Sequence, residues 1–116
     1  MNSNELRKLC MSLPETTETI QWDDDRVFKI GGKMFACSGL DADSRYSFKV
    51  DDHRFLELTD LPGVRPAPYL ARAKWIQIDP SESNLSKKEL TSLVRNSYEL
   101  VFGKLPKKTQ KLLMPG

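Results

Sequence analysis

The residues able to do chemistry are few and scattered. His53 is the single histidine. A general base needs a partner within hydrogen-bond reach, and no cysteine, serine or metal-ligating companion stands near His53 in a recognisable motif. It reads as an exposed or capping residue at the start of a short helix. The phosphate-cradling, nucleophile-elbow, zinc-protease and dinucleotide-binding fingerprints are missing from the sequence. Cys10 and Cys37 lie far apart, one in a helical pattern and one in a strand pattern, and read as reduced, largely buried thiols. Asp23, Asp24 and Asp25 have the oxygen chemistry of a hard-cation site. Three adjacent carboxylates on a turn converge poorly, however, and a solvated turn explains them better. The expectation is a non-enzyme with no catalytic residues, no metal and no cofactor.

What remains is charge and aromatic surface. The chain of 116 residues carries 18 Lys and Arg against 16 Asp and Glu, for a net charge of +2. The distribution is uneven: residues 1–25 hold two basic groups against six acidic ones, and residues 86–116 hold seven basic groups against two acidic ones. Between them, Arg26, Lys29 and Lys33 fall on one expected β-hairpin and Arg45 and Lys49 on the next. Arg65, Arg72 and Lys74 extend the series along LPGVRPAPYLARAKWIQI, Leu61 to Ile78. Cations so spaced can sit along phosphates, which supply affinity without sequence information. Tyr69 and Trp75 add faces on which the bases of a single strand could stack. The plain alternative is that these are solubilising charges on strand edges, where lysine also discourages sheet-to-sheet association. The net charge falls short of the strongly basic balance of dedicated DNA-binding domains.

These residues need elements to position them. Composition, 39% hydrophobic and 29% charged, suits one globular domain over residues 1–116. No apolar run reaches the length of a membrane span. MNSNELRKLCMSL reads as a helix with an Asn2/Glu5 capping box rather than as a secretion signal, which sets the expectation of a cytoplasmic protein without a membrane partner. Period-two stretches follow: ETIQW, RVFKI, KMFACSG and YSFKV. They are separated by an acidic turn, the Gly31-Gly32 pair and DADSR. Asp51 or Asp52 caps a short helix carrying Phe55, Leu56 and Leu58, and Pro62-Gly63 ends it. Pro66 and Pro68 hold an extended connector into a fifth strand, KWIQI. Ser86 and Glu89 box the start of a long helix, with Leu90, Leu93, Val94, Leu100 and Val101 as its apolar stripe. Gly103 suits its C-cap, and a shorter helical tail follows Pro106.

The predicted fold is α+β, an antiparallel sheet of about five strands in the order α-β-β-β-β-α-β-α with helices packed on one face. Alternation assigns Ile20, Trp22, Phe28, Ile30, Phe35, Cys37, Phe48, Val50, Ile76 and Ile78 to the core side. It leaves Lys29, Met34, Ala36, Lys49, Trp75 and Gln77 on the other.

Four stretches in sequence order resemble the MmcQ/YjbR family of small bacterial proteins: LPETTET with Trp22, VFKIGGKMFA, PAPYLARAKWI and SYELVFGKLPKK. The resemblance runs across nearly the whole chain. It implies a compact frataxin-like (CyaY-like) domain, and DNA binding through a double-wing arrangement of β-hairpins. The acidic run Asp23 to Asp25 lies outside the family pattern. DNA is therefore the expected partner. The alternative is a protein-interaction module that uses the sheet face around Trp75 and Met34, which is more apolar than a free face needs.

Overall fold

The computed structural model describes residues 1–22 and 24–115. Asp23 lies outside the described residues, so the acidic turn is seen only through Asp24 and Asp25. The order is helix α1 (Ser3–Ser12), strands β1 (Thr17–Gln21), β2 (Asp25–Ile30), β3 (Lys33–Ser38) and β4 (Tyr46–Lys49), and helix α2 (Asp52–Thr59). Strand β5 (Val64–Pro66), a 3₁₀ turn (Ala71–Ala73), strand β6 (Trp75–Ile78) and helices α3 (Lys87–Gly103) and α4 (Lys107–Leu113) complete it. The six strands form one antiparallel sheet in the order β1-β2-β3-β4-β6-β5.

Local chemistry explains the helix ends. Both expected capping boxes form: Asn2 with Glu5, and Ser86 with Glu89. Asp51 is the N-cap of α2 without a capping bond of its own, because its carboxylate accepts from the Asn96 amide of α3 at 2.9 Å. Gly103 is the last residue of α3, and Lys104 caps it in a right-handed conformation.

Helices α1, α2 and α3 cover one face of the sheet. Leu6 and Cys10 of α1, Phe55 and Leu58 of α2, and Leu90, Leu93, Val94 and Tyr98 of α3 share a core with Phe28, Ile30, Phe48, Ile76 and Ile78. Tyr98 stands edge-on to Phe35 at 5.2 Å and donates its hydroxyl to the Pro14 carbonyl at 2.6 Å. Leu113 and Met114 fold back on the core, while Leu112 stays exposed.

Three sequence expectations change, each for a tertiary reason. First, the strand count is six. The stretch expected to be only a stiff connector contains β5, which pairs with β6 from Val64↔Ile78 to Pro66↔Ile76. It is an edge strand, where a proline without an N–H is tolerated.

Second, the face assignment inverts within β3. Phe28 pairs with Ala36 but Lys29 pairs with Met34, so Phe35 is an extra residue in a β-bulge. A bulge lets two successive residues turn toward one side. Phe35 and Ala36 are therefore both buried in the core, and Cys37 moves to the opposite face beside Val27 and Ser47. The bulge also leaves a gap in the ladder to β4. The buried Ser97 hydroxyl fills it, donating to the Phe35 carbonyl at 2.6 Å and accepting from the Lys49 N–H at 3.0 Å.

Third, Ile20 and Trp22 are not core residues. They are 53% and 64% exposed. Strand β1 is an edge, and Ile20 lies opposite Arg26 rather than opposite an apolar core residue.

Candidate binding surface and its two ends

The strand register sorts the ten sequence-predicted contact residues into places. β2, β3, β4 and β6 run alternately up and down. One end of the sheet therefore gathers Lys29 and Ile30 of β2, Lys33 of β3, Lys49 of β4 and Trp75 of β6. The loop that carries Arg72 and Lys74 returns to this same end, where the Val50 N–H donates to the Lys74 carbonyl at 2.9 Å. Lys49 Nζ donates to the Ala73 carbonyl, and Lys74 Nζ sits 5.2 Å from the Phe55 ring centre. Lys104, at the end of α3, joins them. Burial first, then repulsion from Lys104 and Lys74, holds the Lys49 ammonium below its ordinary pKa, with Asp52 acting the other way. Among the described residues, Lys29, Lys33, Lys49, Arg72, Lys74 and Lys104 make no ion pair.

The other predicted cations are placed differently. Arg26 is partly buried on the helix side of the sheet and pairs with Glu18 at 3.0 Å, while Arg7 of α1 meets the same carboxylate at 2.6 Å. This network joins α1 to the first hairpin and takes Arg26 out of any contact surface. The hydrogen bond from Arg7, followed by that from Arg26, holds Glu18 below the ordinary glutamate pKa. A carboxylate with a lowered folded pKa contributes stability above its unfolded value and loses it as the pH falls through the folded one. Unfolding measured by urea midpoint from pH 6 down to pH 3, roughly the window of carboxylate titration, will therefore show an acid-side loss that is smaller in Glu18→Gln.

Arg45 lies at the opposite end of the sheet, in an exposed pair with Asp79 at 3.4 Å. Arg65 reaches over the sheet face that the helices leave open and donates to the Gln77 side-chain oxygen at 2.7 Å.

Tyr69 and Trp75 part company. Trp75 is only 4% exposed. It lies on the open face by strand parity, but the loop after β5 folds over it, with Ala67 N–H donating to the Trp75 carbonyl at 3.0 Å and Trp75 N–H to Leu70 at 3.3 Å. Base stacking on Trp75 is thereby excluded in this conformation, and so is a protein interface centred on its exposed ring. The sequence could not distinguish an outward strand residue from one roofed by its own preceding loop. Tyr69 is fully exposed at the crest of that loop.

The loop geometry is specific. The Leu70 N–H donates to the Ala67 carbonyl at 3.1 Å, closing a four-residue turn with Pro68 second and Tyr69 third. Tyr69 has φ +67°. This is the arrangement of a type II turn, whose third position favours glycine. Across the open face, the exposed Trp22 is also held at φ +50°. Both residues line a cavity of about 600 Å³. Cys37, Ser47 and Gln77, which occupy one cross-strand row, form its floor with Met34. Asp25 stands beside Trp22, and Arg45 borders the cavity on the β4 side. Burial, with Asp25 nearby, pushes the Cys37 thiol up to about 11, so its nucleophilic thiolate is scarce at neutral pH.

Comparison with known proteins agrees with this architecture. The chain matches the YjbR family over residues 11–100. This chain belongs to the YjbR family. It is 34% identical over 92 residues to the Escherichia coli O157:H7 protein YbdF, described as uncharacterized, an overlap of 78% of this chain and 75% of YbdF. The crystal structure of Deinococcus radiodurans DR2400, described as a DUF419 domain, superposes with a TM-score of 0.82 at 31% identity, covering 96% of this chain and 86% of that one. A Pseudomonas syringae protein shares the fold, with a TM-score of 0.72 at 23% identity over 87% of this chain and 99% of its own. Among the described residues, no helix is long and apolar enough to cross a membrane.

Proposed function

We propose that this YjbR-family protein is a non-catalytic, cytoplasmic nucleic-acid-binding protein whose contact surface is the basic end of the sheet. The observation that carries this reading is the grouping of Lys29, Lys33, Lys49, Arg72 and Lys74 with Lys104, none of them ion-paired among the described residues. Gathering like charges costs free energy in the isolated protein, and a polyanion relieves that cost. From β2 to β6 is three strand spacings, about 14 Å, a length along which duplex DNA presents about eight phosphate charges. Arg26, held by Glu18, and Arg45, at the opposite end of the sheet beside Asp79, are outside this surface.

The test is a titration of labelled duplex DNA at roughly 50 and 200 mM salt. Neutralising five phosphates gives a slope of about −4.5 in log–log form, so affinity falls roughly 500-fold across that range. Lys33→Gln combined with Lys74→Gln lowers the slope by about two and weakens binding to unrelated sequences alike. Arg26→Gln leaves the slope unchanged. An absence of binding at the lower salt, or full binding by the double variant, would overturn the proposal.

A further inference from the structure

We propose that the cavity on the open sheet face is a binding site for a ligand of the mononucleotide class, a flat heteroaromatic ring bearing an anionic group. The ring stacks against Tyr69 and Trp22, and the anion turns to Arg45.

Ten aromatic residues occur in the chain. Trp22 and Tyr69 alone among them are exposed, and both border the same cavity. Both are also held at positive φ, a conformation that bulky side chains rarely adopt. Two strained, solvent-facing aromatic residues lining one cavity are an observation to be explained by function, because strain of this sort persists where it positions something. Flat rings with polarised faces are what such walls bind best.

The floor selects among flat ligands. The Ser47 hydroxyl has no hydrogen-bond partner among the described residues, and the Gln77 side-chain oxygen is occupied by Arg65, which leaves the Gln77 NH₂ as a donor toward the cavity. A purely apolar ring would cover these groups and leave them unpaired, which is costly. A base edge, which alternates donors and acceptors, satisfies them, and Asp25 can accept from an exocyclic amine. Arg45 is the cation on the cavity's border, and its pair with Asp79 is long and exposed, so a phosphate can compete for it. A volume of about 600 Å³ lies within the range of small-molecule sites.

This site is separate from the basic end, and its test separates the two readings. Wild-type protein is titrated with adenosine 5′-monophosphate, adenosine and a ten-nucleotide oligo(dA). The readout is quenching of the exposed Trp22, against the buried Trp75 as an unchanging background. Saturable quenching by the monophosphate is expected. Tyr69→Gly relieves the turn without removing any buried contact, so it leaves the melting temperature unchanged or raised while weakening the monophosphate about tenfold or more. Tyr69→Phe keeps the ring and the affinity. Adenosine binds less tightly than its monophosphate to the wild type and equally to Arg45→Gln. The Lys33→Gln, Lys74→Gln variant binds the monophosphate as wild type does. Equal affinity for oligo(dA) and the monophosphate identifies a free nucleotide as the source, and much tighter oligo(dA) binding identifies an unpaired base in a strand; either supports the site. No saturable quenching by the monophosphate or oligo(dA) at about 1 mM, the weak end of specific affinity, or wild-type affinity in Tyr69→Gly, overturns it.

Discussion

Gly63→Ala loses about 3 kcal/mol or more of folding stability, seen as a lower urea midpoint with an unchanged slope. Gly63 sits between α2 and β5 at φ +72°, where a Cβ would lie 2.4 Å from the Ser83 nitrogen and 2.7 Å from the Glu82 carbonyl carbon. Left-handed backbone costs an L-residue about 1–2 kcal/mol. The remainder comes from a clash with main chain, which cannot rotate away as a side-chain tip can. The segment is also pinned, since the Asp79 N–H donates to the Gly63 carbonyl at 2.8 Å. Two other glycines separate the causes. Gly32, at φ +81° with nothing within 4 Å of a built Cβ, should lose only the backbone contribution on substitution by alanine. Gly103 is the last residue of α3 and has open space around it, so Gly103→Ala stabilises the protein by at most about 0.5–1 kcal/mol, the gain of a helix interior. If Gly63→Ala and Gly32→Ala prove equally costly, the packing of residues 82–83 against Gly63 is not what restricts the site.

Ser97→Ala costs about 2–4 kcal/mol, although it removes a single oxygen atom. That hydroxyl is the joint between the bulge of β3, the end of β4 and α3, holding the Phe35 carbonyl and the Lys49 N–H together. Each buried backbone group left without a partner costs about 1–3 kcal/mol. The loss should appear in hydrogen exchange before it appears in global unfolding data, as faster exchange of the Lys49 amide. Because Lys49 belongs to the basic end, the same variant loosens the proposed nucleic-acid surface without touching its charge. An Asn96→Ala variant removes only the α3 bond to Asp51 and serves as the comparison. Equal protection of the Lys49 amide in wild type and Ser97→Ala would show that this hydroxyl does not carry the joint.

Part of this protein was legible residue by residue. The two capping boxes, the Gly31-Gly32 turn and the proline-started tail are local devices, each complete within a few neighbouring residues, and they stand where the sequence puts them. Family membership was legible too, from four stretches spread along the chain. The faces of the strands were legible only up to their parity. A period of two says that neighbours point in opposite directions, and a single extra residue at Phe35 reverses every later assignment on that strand. The bulge arises from the pairing with β2 and from Ser97, which lies on α3 far along the chain.

The candidate site divides in the same way. The chain supplied the cations, the aromatic residues and the Pro68-Tyr69 pair that shapes the loop. Tertiary structure alone decided that Arg26 is held by Glu18 and that Arg45 stands at the far end of the sheet beside Asp79, while the cations at the other end make no ion pair among the described residues. It decided as well that Trp75 is roofed by the loop before it, and that Trp22, read as core, is exposed and lines a cavity together with Tyr69. Local sequence encodes what depends on neighbours a few bonds away, such as caps, turns and periodicity. Exposure and partnership depend on which distant segments arrive at the same place, and those contacts form only when the whole sheet closes on its helices.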